Sequence, residues 1–246
     1  MNQTVQKIKI FIQTNKKLLF IILCLVIIFN TVNTKEGYKS ALTFDNTQKW
    51  GSVEIRRAMD LNEDNKQILK RMPIISPPKN NSKETKKEIQ DLLIKQKQRT
   101  SAQQEEIIKE RSLSNCVKKF AKNVEEEKIL SDFIQTTVQP VSLALKHHYN
   151  RVRPTFLEPK LKSTIPIPPH ASYPSGHATE AHVMAHLMSE KYPNQRESFF
   201  TKAEEIATNR ERAGVHYRSD TEYGKKLAKK IFEVISKARM NPFKLR

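Results

Sequence analysis

The sequence predicts an all-α protein, a bundle of helices preceded by an N-terminal hydrophobic segment. Two observations support this fold class. Apolar residues recur at helical spacing from residue 82 onward, and no later segment alternates apolar and polar residues over the length of a strand. Lys, Glu, Gln, Ala and Leu, which favour helices, are also frequent between residues 82 and 238.

The chain begins with a hydrophobic targeting segment. Lysines without any acidic residue in residues 1–17 precede twelve consecutive apolar residues, Leu18 to Phe29. An apolar region of about 7 to 15 residues is typical of a signal peptide, whereas a membrane-spanning helix needs about 17 to 25. Because the following residues make a poor cleavage site, residues 1–34 are interpreted as a signal peptide or a single membrane anchor. Either interpretation predicts export to the periplasm or the extracellular space, or anchoring through residues 18–32 with the remaining chain outside the cytoplasm.

The rest of the chain divides into three parts. Residues 35–81 show no long period and are interpreted as an N-terminal extension or linker. Residues 82–238 are interpreted as the helical domain, in which Ser82 caps a first helix and a second begins at Ser101 or the next residue. Residues 239–246 form a basic tail.

Composition limits the classes of function. The 44 Lys and Arg residues against 26 Asp and Glu give a net charge of +18, which favours anionic partners without choosing among them. Five glycines, none of them clustered, exclude the glycine-rich loops of nucleotide-binding folds. The two cysteines are too few for a zinc ribbon or a disulfide scaffold. No aromatic residues interleave with a basic patch, so no specific nucleic-acid binding is predicted.

Two cations near a helix end form the first of three chemically informative clusters. Lys146 and Arg153 are seven residues apart, close to two helical turns, so we expect both on one face of a helix that ends before Pro154. Two converging cations can bind an anion. Taken alone, the cluster is more typical of a solvated basic surface.

The second cluster is Tyr173-Pro174-Ser175-Gly176-His177, followed by good helix-forming sequence. Ser175 is a suitable N-cap, Gly176 allows close approach of a ligand to the backbone, and His177 lies in the first turn. The cluster therefore predicts an anion site at a helix N-terminus. A surface histidine at a helix start is the alternative.

The third cluster joins Arg210, His216 and Asp220. Arg210 shares a helical face with three upstream apolar residues, which places its charge toward the core and requires an anion nearby. His216 and Asp220 are four residues apart, and a carboxylate bound to one imidazole nitrogen leaves the other nitrogen free as a nucleophile or base. A structural His-Asp pair is the alternative.

Together the clusters supply the groups that in-line phosphoryl transfer requires without a metal ion. The motifs Lys-x6-Arg-Pro, Pro-Ser-Gly-His and Arg-x5-His-x3-Asp resemble, in order, the signature of the type 2 phosphatidic acid phosphatase superfamily. This superfamily includes bacterial non-specific acid phosphatases and vanadium-dependent haloperoxidases. The resemblance runs from about Pro77 to near Ile235 and favours the soluble secreted branch, because only one hydrophobic segment is found. Asn209 departs from the serine that many members have before the third-motif arginine.

The resemblance implies an acid phosphatase or vanadium haloperoxidase type of helical bundle and a metal-independent phosphomonoesterase that needs no cofactor. Its partner would be a small-molecule phosphoester. His216 would attack phosphorus and form a phosphohistidine, Asp220 would orient His216, and His177 would protonate the leaving group. The phosphate-binding residues it implies are Lys146, Arg153, Ser175, Gly176 and Arg210.

Three alternatives remain open at this point. A vanadium-dependent haloperoxidase would hold vanadate, an inhibitor of the phosphatase, as its cofactor. A lipid phosphate phosphatase would need access for acyl chains, and a non-enzymatic anion-binding module would rest on the +18 charge alone. No metal site is predicted, because His182 and His186 at helical spacing have no third ligand nearby.

Overall fold

The computed structural model of this chain describes residue 37 and residues 39–244. Leu42–Arg246 form one unit and Met1–Ala41 form another. The hydrophobic segment, and with it the choice between a signal peptide and an anchor, lies outside the described residues. None of the described helices is both long enough and apolar enough to span a membrane.

Helices dominate the larger unit, and the described residues contain no strand, which confirms the all-α prediction. The helices, in chain order, are α1 (Ser52–Met59), α2 (Glu63–Leu69), α3 (Lys83–Gln98), α4 (Ser101–Lys109), α5 (Leu113–Lys118), α6 (Val124–Phe133), α7 (Gln139–Tyr149), α8 (Pro154–Leu157), α9 (Gly176–Lys191), α10 (Arg196–Arg212) and α11 (Arg218–Lys237). A π-helical turn joins α6 to α7, and a short 3₁₀ turn precedes α10.

The two predicted helix starts are confirmed, and side-chain caps explain both. Ser82 accepts a hydrogen bond from the Thr85 amide at 3.1 Å, so α3 begins at the next residue. Thr100 and Gln103 form a reciprocal capping box, and α4 begins at Ser101. In both cases a side-chain oxygen satisfies a backbone N–H that has no partner within the helix.

The segment interpreted as an extension or linker contains two helices that the sequence pattern did not indicate. Helix α1 packs against α7, and Arg57 donates a hydrogen bond to Gln139 Oε1 at 2.8 Å. Each helix has only seven or eight residues, too few for a hydrophobic period to emerge from the polar background. Residues 42–81 therefore belong to the same unit as the helical domain.

A proline and an asparagine explain the irregular junction between α6 and α7. Pro140 has no N–H and its ring crowds the carbonyl four residues earlier, that of Thr136. The π-helical turn Ile134–Val138 accommodates this interruption. The buried Asn65 side chain of α2 donates to the Thr136 carbonyl at 3.0 Å, so the oxygen keeps a partner.

Helix α9 is the central element of the unit. Every residue from Ala178 to Ser189 except His186 is buried, and α10 and α11 pack against it. Small side chains on α9 and Gly224 on α11 allow the helices to approach closely. A Cβ on Gly224 would lie 2.9 Å from the Ser175 carbonyl oxygen and 3.1 Å from Ala178 Cβ. The crossing of α9 and α11 therefore fixes the start of α9, where the second motif lies.

We expect Gly224→Ala to destabilise the protein by about 1–3 kcal/mol, because overpacking at this crossing forces the backbone apart. For a protein of this size the melting temperature should fall by about 2–4 °C per kcal/mol, which thermal unfolding monitored by circular dichroism measures. Ser236→Ala, on the exposed face of the same helix, is the control and should change nothing. An unchanged melting temperature for Gly224→Ala would contradict the close-crossing explanation.

Candidate active site

The two cations of the first motif do not share a helical face, contrary to the sequence expectation. Helix α7 ends at Tyr149, because Asn150 adopts a left-handed conformation (φ 47°) and caps the helix. Arg153 lies beyond this turn, as the residue before α8. Asparagine tolerates this conformation better than most residues, and the turn brings Arg153 back toward Lys146.

Both cations are fully buried and bind backbone carbonyl groups. Lys146 Nζ donates to the carbonyls of Ala171 and Ser172 at 3.0 Å and to that of Pro174. The Arg153 guanidinium donates to the Val215 carbonyl at 2.7 Å, and its NH1 lies 3.2 Å from His216 Nε2. Burial lowers the pKa of Arg153 to about 10 and that of Lys146 well below its ordinary value. Lys146 thus holds the loop before the second motif, and Arg153 reaches the third.

The second motif forms the N-terminus of α9, as predicted. Ser175 is the N-cap, and Gly176 and His177 form the first turn, where backbone N–H groups lack partners within the helix. The helix dipole adds positive potential there. His177 Nε2 lies 3.0 Å from the Glu110 carbonyl oxygen, which only accepts, so Nε2 carries the proton and Nδ1 the lone pair in the neutral ring.

A glycine turn brings Arg210 and His216 to the same region. The Gly214 amide donates to the Glu211 carbonyl at 2.8 Å and the Val215 amide to the Arg210 carbonyl at 3.3 Å, which is the pattern of a Schellman motif. Gly214 has a φ of 77°, a conformation that side chains disfavour. The chain therefore reverses directly after α10, and His216 lies close to the helix that carries Arg210.

His216 and Asp220 form the expected pair. His216 Nδ1 lies 3.0 Å from Asp220 Oδ2, and both residues are buried. Burial alone would raise the pKa of Asp220, but the Arg151 charge and the hydrogen bonds from His216 and Ser172 outweigh it and hold the pKa well below its usual value. Asp220 is thus an acceptor, Nδ1 of His216 must be the donor, and the lone pair of Nε2 accepts from Arg153 NH1 at 3.2 Å.

Two residues that support this pair were missed in the sequence. Arg151 NH1 donates to Asp220 Oδ1 at 2.6 Å, and the guanidinium lies 3.8 Å from the centre of the Tyr217 ring. Ser172 Oγ donates to Asp220 Oδ2. Arg151 stands two residues before Arg153 in the first basic cluster, and that proximity was the only available signal.

Arg210 is held by the end of α4. Its NH2 donates to the Ile107 carbonyl at 3.1 Å and to Glu110 Oε2 at 3.2 Å, while its buried Nε has no hydrogen-bond partner. Asn209, which replaces the expected serine, donates to the same Glu110 carboxylate at 3.0 Å. The substitution therefore provides a second donor for the acid that positions Arg210.

These groups surround a cavity of about 430 Å³. Four of the predicted site residues line it, namely Gly176, His177, Arg210 and His216. The other four, Lys146, Arg153, Ser175 and Asp220, are buried behind its wall. Glu180 and His170, which the sequence did not single out, also line the cavity.

Burial keeps both cavity histidines neutral. Desolvation and the nearby Arg210 charge lower the pKa of His177 to about 3. Desolvation and the Arg153 charge lower the pKa of His216 well below 6.5 despite the hydrogen bond to Asp220. Both imidazole rings are therefore neutral at neutral pH, and that of His177 stays neutral down to about pH 3.

His182 and His186, the two histidines at helical spacing on α9, contact neighbouring side chains. His182 lies 3.2 Å from Glu204 Oε1, and the His186 ring stacks on Phe232 with centroids 4.9 Å apart. Within residues 39–244 no cluster of three or more His, Cys, Asp or Glu side chains has a geometry for holding a metal ion.

A comparison with protein families bears on this arrangement. Residues 129–228, from α6 to α11, match the family model of the PAP2 superfamily. All three motifs lie within the matched residues. The resemblance noted in the sequence is thereby confirmed for these residues.

Solved structures extend the likeness to the fold. The chain is similar to a bacterial vanadium-dependent iodoperoxidase, with a TM-score of 0.58 and 16% identity over 85% of this chain, and it spans 62% of that protein. A transmembrane PAP2-type phosphatidylglycerolphosphate phosphatase from Bacillus subtilis matches at 18% identity over 79% of this chain and 96% of that one, with a TM-score of 0.36, from which we infer no common fold. A search of curated proteins finds no match.

Proposed function

We propose that the protein is a phosphomonoester hydrolase of the acid phosphatase type that acts through a phosphohistidine at His216. The proposal rests on the environment of the His216 ring. His216 lines the cavity with Nδ1 bound to an ionised carboxylate, which leaves Nε2 unprotonated and beside the Arg153 cation. A neutral imidazole nitrogen held next to a positive charge in an anion-binding cavity is suited to attack phosphorus.

The proposed reaction has two steps. In the first, the proton of the bound phosphoryl monoanion passes to Nδ1 of His177, the Nε2 lone pair of His216 forms the N–P bond, the bond from phosphorus to the leaving oxygen breaks, and His177 gives that proton to the leaving oxygen. In the second, water attacks phosphorus, its proton passes to His177, and the N–P bond breaks to release phosphate. Arg210 and the N-terminal amides of α9, which line the cavity, would bind the equatorial oxygens, and the Lys146 and Arg153 charges behind its wall would add positive potential.

The low pKa of His177 determines how pH should affect this reaction. His177 is neutral above about pH 3 in the free protein. The proton for the leaving group must therefore arrive with the substrate, as the phosphoryl monoanion. Phosphomonoesters lose this proton near pH 6. A substrate that has lost this proton binds without the proton that the leaving group needs in the first step.

The test is hydrolysis of an aryl phosphate by the full-length protein in the presence of EDTA. We expect kcat/KM to change little between about pH 4 and about pH 6 and to fall about tenfold per pH unit above that, because one proton is required. Vanadate should inhibit competitively. A rate that rises between pH 6 and 8, or no turnover by the folded protein, would contradict the proposal.

Vanadate fits the same donor set, because the buried Arg210 Nε has no partner and the cavity is lined by His216. The likeness in fold to an iodoperoxidase makes vanadium-dependent halide oxidation the second candidate. His216 and the cations would hold the vanadate, which supplies peroxide activation when bound. Iodide oxidation with peroxide after vanadate loading, without ester hydrolysis, would favour this candidate.

The substrate and the location are also proposals. A cavity of about 430 Å³ suits a small phosphoester, and its apolar wall, Ile165–Pro169, suits an apolar leaving group. The exposed Arg57 and Arg111 at its edge would favour anionic substrates. We propose that the protein acts outside the cytoplasm, exported or anchored through residues 18–32, because the N-terminal sequence has the character of a targeting segment.

A further inference from the structure

Glu180 is a buried carboxylic acid inside the anion-binding cavity. It lies one turn after Gly176 on α9, is 6% exposed, and lines the cavity. Its Oε1 is 3.8 Å from the point that a Cβ on Gly176 would occupy, and Lys146 Cε is equally far from that point. The carboxyl group therefore lies beside the helix N-terminus that is proposed to bind phosphate.

The bonding of Glu180 differs from that of the other buried acids near the site. Glu110, Glu211 and Asp220 each form an ion pair with a lysine or arginine. Glu180 instead faces the neutral side-chain amide of Gln139, which acts to lower its pKa. Gln139 Oε1 accepts from Arg57 at 2.8 Å, so the amide nitrogen is the group left to donate to Glu180.

Charged and titratable groups face Glu180 from four helices. They are Lys146 on α7, Arg210 on α10, Cys116 on α5, and His177 on α9 itself. Burial raises the pKa of Glu180 above its ordinary value, although Gln139, Lys146 and Arg210 act in the opposite direction. His177 stays neutral above about pH 3, and burial raises the pKa of Cys116 to about 12, so neither titrates near neutral pH.

We propose that Glu180 is a specificity-determining residue that shares one proton with the bound phosphoryl group, so that the site takes protonated phosphoryl anions and rejects anions without a proton. This inference rests on the proposed function of the cavity. A carboxylate beside a fully ionised oxyanion is repelled, whereas a single proton between the two groups converts the repulsion into a charge-assisted hydrogen bond. Buried polar groups left unpaired discriminate strongly against the wrong ligand.

A comparison of sulfate with phosphate binding distinguishes proton sharing from the effect of anion charge alone. Both are tetrahedral oxyanions, but sulfate carries no proton near neutral pH, whereas phosphate retains at least one. Above the pH at which Glu180 ionises, neither Glu180 nor sulfate carries a proton that the two could share. Bound phosphate still carries one and can share it with Glu180. Lys146 is the other group that could titrate. Loss of its charge would weaken the binding of sulfate and of phosphate alike.

The experiment is calorimetric titration of the full-length protein with sodium phosphate and sodium sulfate between about pH 5.5 and about pH 8. We expect the sulfate Kd to rise with pH by up to about tenfold per unit once Glu180 ionises, and the phosphate Kd to change far less, because only sulfate depends on the Glu180 proton. At the highest pH the preference for phosphate should reach about 100-fold.

Glu180→Gln supplies a permanent N–H donor of the same shape. In this variant the sulfate Kd should become nearly independent of pH and the preference for phosphate should fall below about threefold. Glu54→Gln, which changes another carboxyl group lining the cavity, is the matched control and should keep the wild-type preference. Circular dichroism and thermal unfolding establish that each variant is folded.

Two results would overturn the inference. One is a Glu180→Gln variant, folded and able to bind phosphate, that keeps the wild-type preference and pH dependence. The other is a wild-type protein that binds sulfate and phosphate equally at every pH, or binds neither. Because these measurements involve no turnover, failure of the proposed hydrolase function would appear separately, as wild-type protein that binds phosphate but cleaves no ester.

Discussion

We expect His216→Ala to lower kcat/KM for an aryl phosphate by at least about 10⁴-fold, because the variant has no nucleophile and the remaining groups only bind the substrate. His216 Nε2 is the unprotonated ring nitrogen in the cavity that is fixed by a carboxylate on the opposite side of the ring. The variant should still bind phosphate, since the cations and the amides of α9 are unchanged. Steady-state kinetics and calorimetric titration with phosphate measure the two properties.

His148→Ala is the matched control for this prediction. His148 is exposed on α7 and does not line the cavity, so the variant should retain full activity. A folded His216→Ala protein within about tenfold of wild-type activity would exclude His216 as the nucleophile, because tenfold is far below the effect of losing a covalent step. Loss of phosphate binding in the same variant would instead show that His216 contributes to phosphate binding.

Asp220→Asn should have the second largest effect, a loss of about 10³–10⁴-fold in kcat, because an amide can donate to Nδ1 and shift the proton of His216 to Nε2. The shape of the side chain is kept, so KM should change little. The variant also removes the negative charge that faces Arg151 at 2.6 Å. Breaking a buried ion pair typically costs about 3–5 kcal/mol, so thermal unfolding should show a lower melting temperature.

Glu88→Gln distinguishes the two effects of Asp220→Asn. Glu88 also binds Arg151, at 3.3 Å, but it does not contact His216. Its replacement should lower stability with little change in kcat. If Glu88→Gln reduced kcat as much as Asp220→Asn, the effect would come from the position of Arg151 and not from the tautomer of His216.

The residues that carry chemistry could be predicted from the sequence because their spacing is local. Ser175, Gly176 and His177 are consecutive at one helix N-terminus, and His216 and Asp220 are four residues apart where α11 begins. Local spacing of this kind needs only the geometry of a single helix. The helix start after Ser82 was predictable for the same reason, since capping depends on neighbouring residues.

The groups that position the site could not be predicted, because they come from distant parts of the chain. Glu110, which binds Arg210, is 100 residues away from it in sequence. Arg57 donates to Gln139, which faces Glu180, and these two residues are 82 positions apart in sequence. The packing of α1 against α7, and of α4 against α10, brings these side chains together. The expectation that Lys146 and Arg153 share a helical face was wrong because the left-handed turn at Asn150 ends the helix between them.

Detection of the phosphohistidine tests the central claim most directly. Full-length protein is mixed with an aryl phosphate, quenched in alkaline detergent because phosphohistidine is labile in acid, digested, and analysed by mass spectrometry. The account predicts one phosphoryl group on the peptide that contains His216, absent when the protein is His216→Ala. A protein that turns over substrate with no phosphorylated residue, or with the phosphoryl group on another residue, would contradict it.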